Sequence, residues 1–278
     1  MIRLGGPVFG QWDGPAGWIA ALKAAGYRAA YCPVGLDADD ATVRAYARAA
    51  EQADVMIAEV GAWSNPQSPD AATRAAALDK CQRSLDLAER IGARCCVNVA
   101  GSRGPRWDGP YAADLTEETF ELVVATTREI IDAVRPMRTC YTLETMPWMV
   151  PDSVESYLRL IEAIDRPAFA VHLDPVNLIC SPQRYFANGA LIREAIARLG
   201  PRLRSCHAKD TLLQEQLTTH LDEVRPGLGT LDYRTFLIEL DRLDTDVPLM
   251  LEHLPNAAEF QLGADYVRSV AREVGVAL

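Results

Sequence analysis

Short apolar runs alternate with longer segments of helical periodicity, and this alternation restricts the possible folds more than any other feature of the sequence. The runs that predict β-strands begin near Ile2, Arg28, Val55, Arg94, Cys140, Ala168, Leu203 and Leu249. The segments that predict helices follow them at 16–25, 39–53, 69–91, 116–134, 152–164, 188–199, 232–243 and 258–274. Consecutive strands joined by helical crossovers run parallel.

Eight strand–helix units are the number that closes a (β/α)8 TIM barrel, and 278 residues suffice for one. A doubly wound open sheet is the alternative, but it usually carries a Gly-x-Gly-x-x-Gly turn after its first strand. Here that place holds GGPVFG at 5–10, which lacks the spacing. No linker rich in Gly, Pro or Ser divides the chain. We therefore predict an α/β protein with a single TIM-barrel domain at 1–278.

The net charge and the cysteines indicate which partners and which cellular compartment to expect. A net charge of −10 argues against a nucleic-acid partner or an anionic membrane surface. No window approaches the ~20 apolar residues of a membrane span, and no apolar stretch near the start suits a secretory signal. The seven cysteines are odd in number and show no Cys-x-x-Cys spacing, which is typical of reduced thiols. We expect a cytoplasmic homo-oligomer.

Four polar residues stand near the ends of the last four predicted strands: Glu144, Asp174, His207 and Glu252. Each lies in an apolar run, and such groups are seldom buried without partners because desolvating a charge is costly. The C-terminal ends of barrel strands share one face, so these side chains are expected to converge around a cation. Three carboxylates and one imidazole favour Mn²⁺, with Mg²⁺, Co²⁺ or Zn²⁺ as alternatives.

The order Glu, Asp, His, Glu on strands five to eight resembles the xylose-isomerase-like sugar (phosphate) isomerase/epimerase superfamily. The similarity extends over essentially the whole chain. Its most specific motifs are LET at 143–145, LDPVN at 173–177, HAKD at 207–210, PGLGTLDY at 226–233 and LEH at 251–253. The resemblance implies that the four strand-end residues bind one divalent ion. It also implies that Glu144 and Glu252 move protons.

Proton abstraction next to a carbonyl is the chemistry that suits such a site. A metal stabilises the enediolate that forms, and a carboxylate removes the proton. Return of the proton to the opposite face of the same carbon gives epimerisation, and return to the neighbouring carbon gives isomerisation. We expect Glu144 and Glu252 to flank a small carbohydrate from opposite sides of the barrel mouth.

Two departures from the best-studied ketose 3-epimerase pattern leave the reaction open. Asn177 stands where that pattern has a histidine, and Lys209 and Asp210 follow His207 without the expected arginine. A metal-dependent dehydratase, similar to inosose or dehydroshikimate dehydratases, is therefore the alternative enzyme. A non-catalytic barrel subunit of a heteromeric complex is the alternative from another class.

Candidate substrate-binding residues are Asn177, Lys209, Trp107 and His220. Trp107 lies in the long connection 101–115 and His220 in the long connection 211–231. Both connections follow strands, so both belong to the face where barrel enzymes bind substrates. Aromatic side chains pack well against sugar rings, and one or two of the tryptophans that follow strands are expected to line the site: Trp12, Trp63, Trp107 and Trp148.

For three further residues near the predicted site, the sequence predicts a role or a direction of the side chain. His172 lies two residues before Asp174 and is predicted to be a buried, hydrogen-bonded histidine that supports a ligand. Glu59, late in the third strand, is a further candidate site residue. His253 follows Glu252 directly, so on an ideal strand it faces away from the metal and is left out of the ligand set.

Overall fold

Eight parallel strands close into a barrel in the computed structural model, which describes residues 1–278. The strands are β1 Ile2–Gly5, β2 Ala29–Tyr31, β3 Met56–Gly61, β4 Cys95–Asn98, β5 Tyr141–Glu144, β6 Phe169–Leu173, β7 Leu203–Ala208 and β10 Val247–Leu251. The order around the ring is β1-β10-β7-β6-β5-β4-β3-β2, and the last barrel strand is numbered β10 because the two strands of a hairpin precede it in the chain. The predicted fold class is confirmed.

Helices follow the strands as the periodicity predicts. They are α1 Gly14–Ala25, α2 Asp40–Gln52, α3 Ala71–Ile91, α4 Glu117–Val134, α5 Val154–Ile164, α6 Pro182–Phe186, α7 Asn188–Leu199, α8 Tyr233–Asp241 and α9 Ala257–Val274. The Thr116 hydroxyl accepts a hydrogen bond from the Thr119 amide at the start of α4, and Ser153 and Ser156 form a capping box before α5. Among the α-helices, only the short α6 was not predicted.

The long connection 211–231 contains a β-hairpin that the sequence did not predict. Residues Asp210–Gln214 form β8 and residues His220–Val224 form β9, and the two strands pair antiparallel outside the barrel. Because β8 begins two residues after the end of β7, the hairpin rises directly from the C-terminal end of that barrel strand.

The main core lies between the strands and the surrounding helices, where 61 buried apolar residues form one cluster. A smaller apolar cluster contains Ala29, Ala58 and Met250. Gly5 belongs to this crowded region, because a Cβ there would lie 2.4 Å from the Ala29 carbonyl oxygen and 2.7 Å from the Met250 Sδ. Small residues therefore let the strands and Met250 close the barrel tightly.

All seven cysteines are free, which agrees with the prediction of reduced thiols. No helix in the structure combines the length and the apolar character needed to cross a membrane.

Candidate metal centre and active site

The four predicted ligands come together at the C-terminal mouth of the barrel. Ligand atoms of Glu144, Asp174, His207 and Glu252 all lie within 4.8 Å of one another. Glu144 is the last residue of β5 and His207 lies near the end of β7, while Asp174 and Glu252 directly follow β6 and β10. The ends of four parallel strands thus place three carboxylates and one imidazole at one point.

The oxygen atoms of this group fit a divalent cation. Asp174 Oδ2 and Glu252 Oε1 are buried and accept no hydrogen bond of good geometry. The other oxygen of Asp174, Oδ1, accepts hydrogen bonds from the backbone amides of Val176 and Asn177, which fixes the carboxylate. Carboxylates crowded together in a buried site repel one another, and a hard divalent ion among them would offset that cost.

Glu144 and Glu252 meet at one nitrogen of His207. His207 Nδ1 lies 3.1 Å from Glu144 Oε1 and 2.7 Å from Glu252 Oε1. The two glutamates reach this nitrogen from well-separated strands, although not from directly opposite ones. Their strands, β5 and β10, stand three positions apart in the ring of eight, and β1 is the strand opposite β5.

Lys209 extends into the same group of carboxylates. Its Nζ lies 2.8 Å from Asp174 Oδ2, 2.5 Å from Glu252 Oε1 and 3.7 Å from Glu144 Oε1, and only 2% of the side chain is exposed. Because side chains alternate along a strand, Lys209 points to the same side as His207, as predicted. The ammonium balances part of the negative charge of the carboxylates.

Burial and neighbouring charges act against each other on these groups. Burial raises the pKa of Asp174 to about 6, although the Lys209 ammonium acts in the opposite direction. Burial would also raise the pKa of Glu144, but His207 outweighs it and holds the pKa well below the usual range. For Lys209, burial favours a lower pKa, but the surrounding carboxylates raise the pKa well above its ordinary value. The opposite charges of the carboxylates and of Lys209 and His207 therefore favour the ionised forms of these buried side chains.

A second polar group lies behind His207. Glu59 Oε2 is 3.4 Å from His207 Nε2, and Glu59 Oε1 is 2.9 Å from His172 Nε2. The Ser205 hydroxyl also donates to Glu59 Oε1. The rings of His172 and His207 pack edge to face with their centroids 4.2 Å apart. His172 is thus buried and hydrogen-bonded as predicted, and Glu59 is the residue that orients His207.

Asp210 organises the chain that follows the hairpin. Its buried carboxylate accepts hydrogen bonds from the backbone amides of Gly227, Gly229 and Leu231 at 2.9, 3.2 and 2.8 Å. A Cβ at position 229 would lie 2.3 Å from Asp210 Oδ1, so only glycine allows this approach. The PGLGTLDY motif is therefore the sequence that folds around Asp210.

A cavity of about 670 Å³ opens above the metal ligands. Three of the predicted substrate-binding residues, Asn177, Lys209 and Trp107, line it. Asn177 Nδ2 also donates a hydrogen bond to Glu144 Oε1 at 3.2 Å. Three tryptophans that follow strands are among the lining residues, and the full aromatic wall comprises Tyr31, Trp63, Trp107, Trp148 and Phe260. Trp12 is not part of it.

His220 does not reach this cavity. It is exposed and pairs with Gln214 at the end of the hairpin far from the barrel. Glu223 of the same strand lines the cavity instead. Its Oε2 lies 3.5 Å from Lys209 Nζ, and its Oε1 lies 3.1 Å from His253 Nδ1. Residues three apart on a strand face opposite sides, so the hairpin presents Glu223 and turns His220 away.

His253 also departs from the prediction. The strand β10 ends at Leu251, and His253 has a positive φ of 55°, so strand alternation does not set its direction. Its ring lines the cavity, and Nε2 lies 3.7 Å from Glu252 Oε2. The prediction that it faces away is wrong, while its absence from the group of candidate ligands agrees with the structure.

The fold and the site together define the class of protein. It is a (β/α)8 barrel whose strands place residues able to bind a metal ion at their C-terminal ends. The sequence profile described as "Xylose isomerase-like TIM barrel" matches residues 19–270, and the chain belongs to that family. No protein of curated function matches the sequence significantly.

Solved structures with the same fold share little sequence. The probable 3-DHS dehydratase AsbF of Bacillus anthracis is 17% identical, with a TM-score of 0.72 over 98% of this chain and 99% of that one. The 3-keto-D-glucoside 4-epimerase YcjR of E. coli is 13% identical, with a TM-score of 0.70 over 97% and 100%. D-psicose 3-epimerase of Clostridium cellulolyticum H10 is 14% identical, with a TM-score of 0.68 over 96% of each chain. Such identities establish likeness of fold alone.

Proposed function

We propose that the protein is a divalent-metal-dependent isomerase or epimerase that acts on a small sugar or sugar derivative through an enediolate intermediate. The observation that carries the proposal is the meeting of Glu144, Asp174, His207 and Glu252 beneath a cavity, with their ligand atoms within 4.8 Å of one another. Family membership supports the same conclusion.

These four residues would hold one ion, and the balance of three carboxylates and one imidazole favours Mn²⁺. When bound, the ion would polarise a substrate carbonyl and lower the energy of the neighbouring enediolate. Asp174 serves only as a ligand in this proposal, because it is buried and does not line the cavity.

Glu144 and Glu252 are the proposed proton carriers, since both line the cavity. Glu144 uses Oε1 for its contacts with His207 and Asn177, which leaves Oε2 for a substrate proton. Glu252 is the most accessible of the four ligands, with 12% of its side chain exposed. Ionised carboxylates at these positions can accept a proton from carbon, and the resulting acid can return it.

Asn177 and Lys209 are the proposed contacts for substrate oxygens. The Asn177 amide already donates to Glu144 at the cavity floor, so it can also fix the glutamate that receives the proton. The Lys209 ammonium lies against the ligands and can neutralise negative charge that develops on an enediolate oxygen.

The walls of the cavity favour a substrate without a phosphate group. Arg106 is the single arginine in the lining, and it forms an ion pair with Asp108 at 2.9 Å. Lys209 is surrounded by carboxylates, and Glu223 adds further negative charge to the wall. The aromatic side chains offer flat apolar faces on which a neutral sugar ring can pack. Trp107 is one such face.

A dehydratase remains the second candidate, and the position of Lys209 favours it. Expulsion of a β-hydroxyl from the same enediolate type of intermediate requires a proton for the leaving oxygen. A buried ammonium beside the metal ligands can donate that proton. Neither an isomerase nor an epimerase breaks a carbon–oxygen bond, so neither needs a proton donor for a leaving oxygen.

One experiment distinguishes the isomerase or epimerase from the dehydratase and from a non-catalytic subunit. The Mn²⁺-loaded protein is incubated with aldoses, ketoses, their phosphates, keto-inositols and dehydroshikimate, and products are followed by ¹³C NMR. The proposal predicts a rearranged sugar of unchanged mass from an unphosphorylated substrate. Loss of water would establish the dehydratase. A protein that binds no divalent ion and converts no compound would favour the non-catalytic subunit and contradict both enzyme proposals.

A further inference from the structure

A second large cavity, of about 770 Å³, lies at the opposite end of the barrel, where β4 to β7 begin. Five arginines line it, and we call it the arginine pocket: Arg94, Arg135, Arg138, Arg166 and Arg204. The protein carries a net charge of −10, so a concentration of positive charge here does not reflect a basic chain. The mouth cavity, with the candidate metal ligands, is at the other end.

Carboxylates neutralise two of these arginines. Asp132 is the single acidic residue in the lining, and both of its oxygens accept hydrogen bonds from Arg166 at 2.7 Å. Arg138 pairs with Glu89, which lies outside the lining. The remaining three arginines of the pocket have no carboxylate partner within salt-bridge distance. They are Arg94, Arg135 and Arg204.

Arg94 is the most constrained of the three. Its Nε is buried and makes no hydrogen bond, while Nη2 donates to the Thr245 hydroxyl and to the Asp246 carbonyl oxygen. The Asp246 carboxylate is engaged elsewhere, by Arg3 at 2.7 Å. Burial lowers the pKa of Arg94, and repulsion from Arg204 adds to the effect. The neighbouring guanidinium groups of Arg94 and Arg204 thus face one cavity with no carboxylate within salt-bridge distance.

We propose that the arginine pocket binds the phosphate group of a small phosphorylated molecule. Guanidinium groups match phosphate oxygens in pairs, and Arg135 and Arg204 each make a single side-chain hydrogen bond, which leaves further donors for such contacts. Apolar rim residues such as Pro136 and Met137 would contact the rest of the ligand. The site is separate from the mouth cavity, and the proposal does not depend on which reaction the barrel catalyses.

The test uses the full chain and isothermal titration calorimetry with inorganic phosphate and with pyrophosphate, at constant ionic strength maintained with chloride. The wild-type protein should bind at least one of them saturably. Arg204→Gln and Arg135→Asn should each weaken binding about tenfold or more, the scale of losing one charge-assisted contact. Asparagine suits position 135 because Arg135 has a positive φ of 54°.

Two matched variants control for general charge effects. Arg272→Gln removes an exposed arginine at the end of α9, outside the arginine pocket, and should leave binding within about twofold of wild type. Arg106→Gln removes the arginine of the mouth cavity and should have equally little effect. Thermal unfolding of every variant shows whether the fold is retained.

Three results would overturn the proposal. One is the absence of saturable binding of both anions to the folded wild-type protein. Another is equal affinity in Arg204→Gln, Arg135→Asn and Arg272→Gln. The third is a loss of binding in Arg106→Gln alone, which would place the anion at the mouth of the barrel.

Discussion

Glu59 contacts the face of His207 that points away from the candidate metal ligands. The distance from Glu59 Oε2 to His207 Nε2 is 3.4 Å, while His207 Nδ1 faces Glu144 and Glu252. A carboxylate in this position fixes the orientation of the ring and increases the basicity of the nitrogen that faces a metal. Glu59 is therefore a positioning residue for the site.

We predict that Glu59→Gln weakens Mn²⁺ binding by about 10- to 100-fold, the usual effect of removing a partner behind a metal ligand. Glutamine has nearly the same shape, so the packing with His172 and Ser205 should persist. Titration calorimetry with Mn²⁺ measures the effect, and Glu51→Gln on the exposed side of α2 is the control. Affinity equal to wild type in a folded Glu59→Gln protein would show that Glu59 has no role at the site.

Two histidines at the mouth should differ in their effect on the metal. His207 belongs to the candidate ligand group, whereas His253 does not. His207→Ala should therefore abolish tight Mn²⁺ binding, while His253→Ala should change it only slightly. Elemental analysis of the two proteins after dialysis checks this. Equal loss of metal in both variants would contradict the proposed ligand set.

Lys209 competes with a metal for the same carboxylates. Its Nζ lies 2.8 Å from Asp174 Oδ2 and 2.5 Å from Glu252 Oε1, so two cations must share these oxygens when an ion binds. We predict that Lys209→Met raises Mn²⁺ affinity about tenfold and lowers turnover, because the repulsion between cations and the contact with substrate oxygen are both lost. Lys23→Met on α1 is the control. Weaker metal binding in Lys209→Met would contradict this account.

Asp210 should matter for stability. Asp210→Asn keeps one acceptor oxygen but turns an NH₂ group toward the backbone amides of Gly227, Gly229 and Leu231. Loss of these buried hydrogen bonds should cost about 1–3 kcal/mol. For a domain of this size that lowers Tm by roughly 2–4 °C per kcal/mol. Calorimetric unfolding measures it, with Asp241→Asn as the control. An unchanged Tm would show that the segment does not depend on Asp210.

The barrel and the meeting of the four candidate ligands at its mouth could be predicted because local patterns determine them. Helical periodicity and capping residues such as Thr116 mark the elements, and parallel strands bring their C-terminal ends to one face. Lys209 follows His207 by two residues, just past the end of β7, so continued alternation puts both on the same side and both could be placed from sequence.

The remaining features depend on contacts that no local pattern reveals. The pairing of β8 with β9 decides that Glu223 faces the cavity and His220 does not. His253 lies past the end of β10 and has a positive φ, so the alternation of side chains along a strand does not determine its direction. Phe260 enters the cavity from α9, a helix whose distance from the mouth cannot be judged from sequence.

We propose that Glu144 and Glu252 transfer a carbon-bound proton of the substrate. The direct test is to incubate the Mn²⁺-loaded enzyme and its substrate in heavy water and follow deuterium at the carbons next to the carbonyl by NMR. Wild type should exchange a proton there, and Glu144→Gln and Glu252→Gln should each slow the exchange by about 10²-fold or more. Metal content is measured in the same samples, because glutamine is the weaker ligand. Exchange at the wild-type rate in both variants, with metal still bound, would contradict the account.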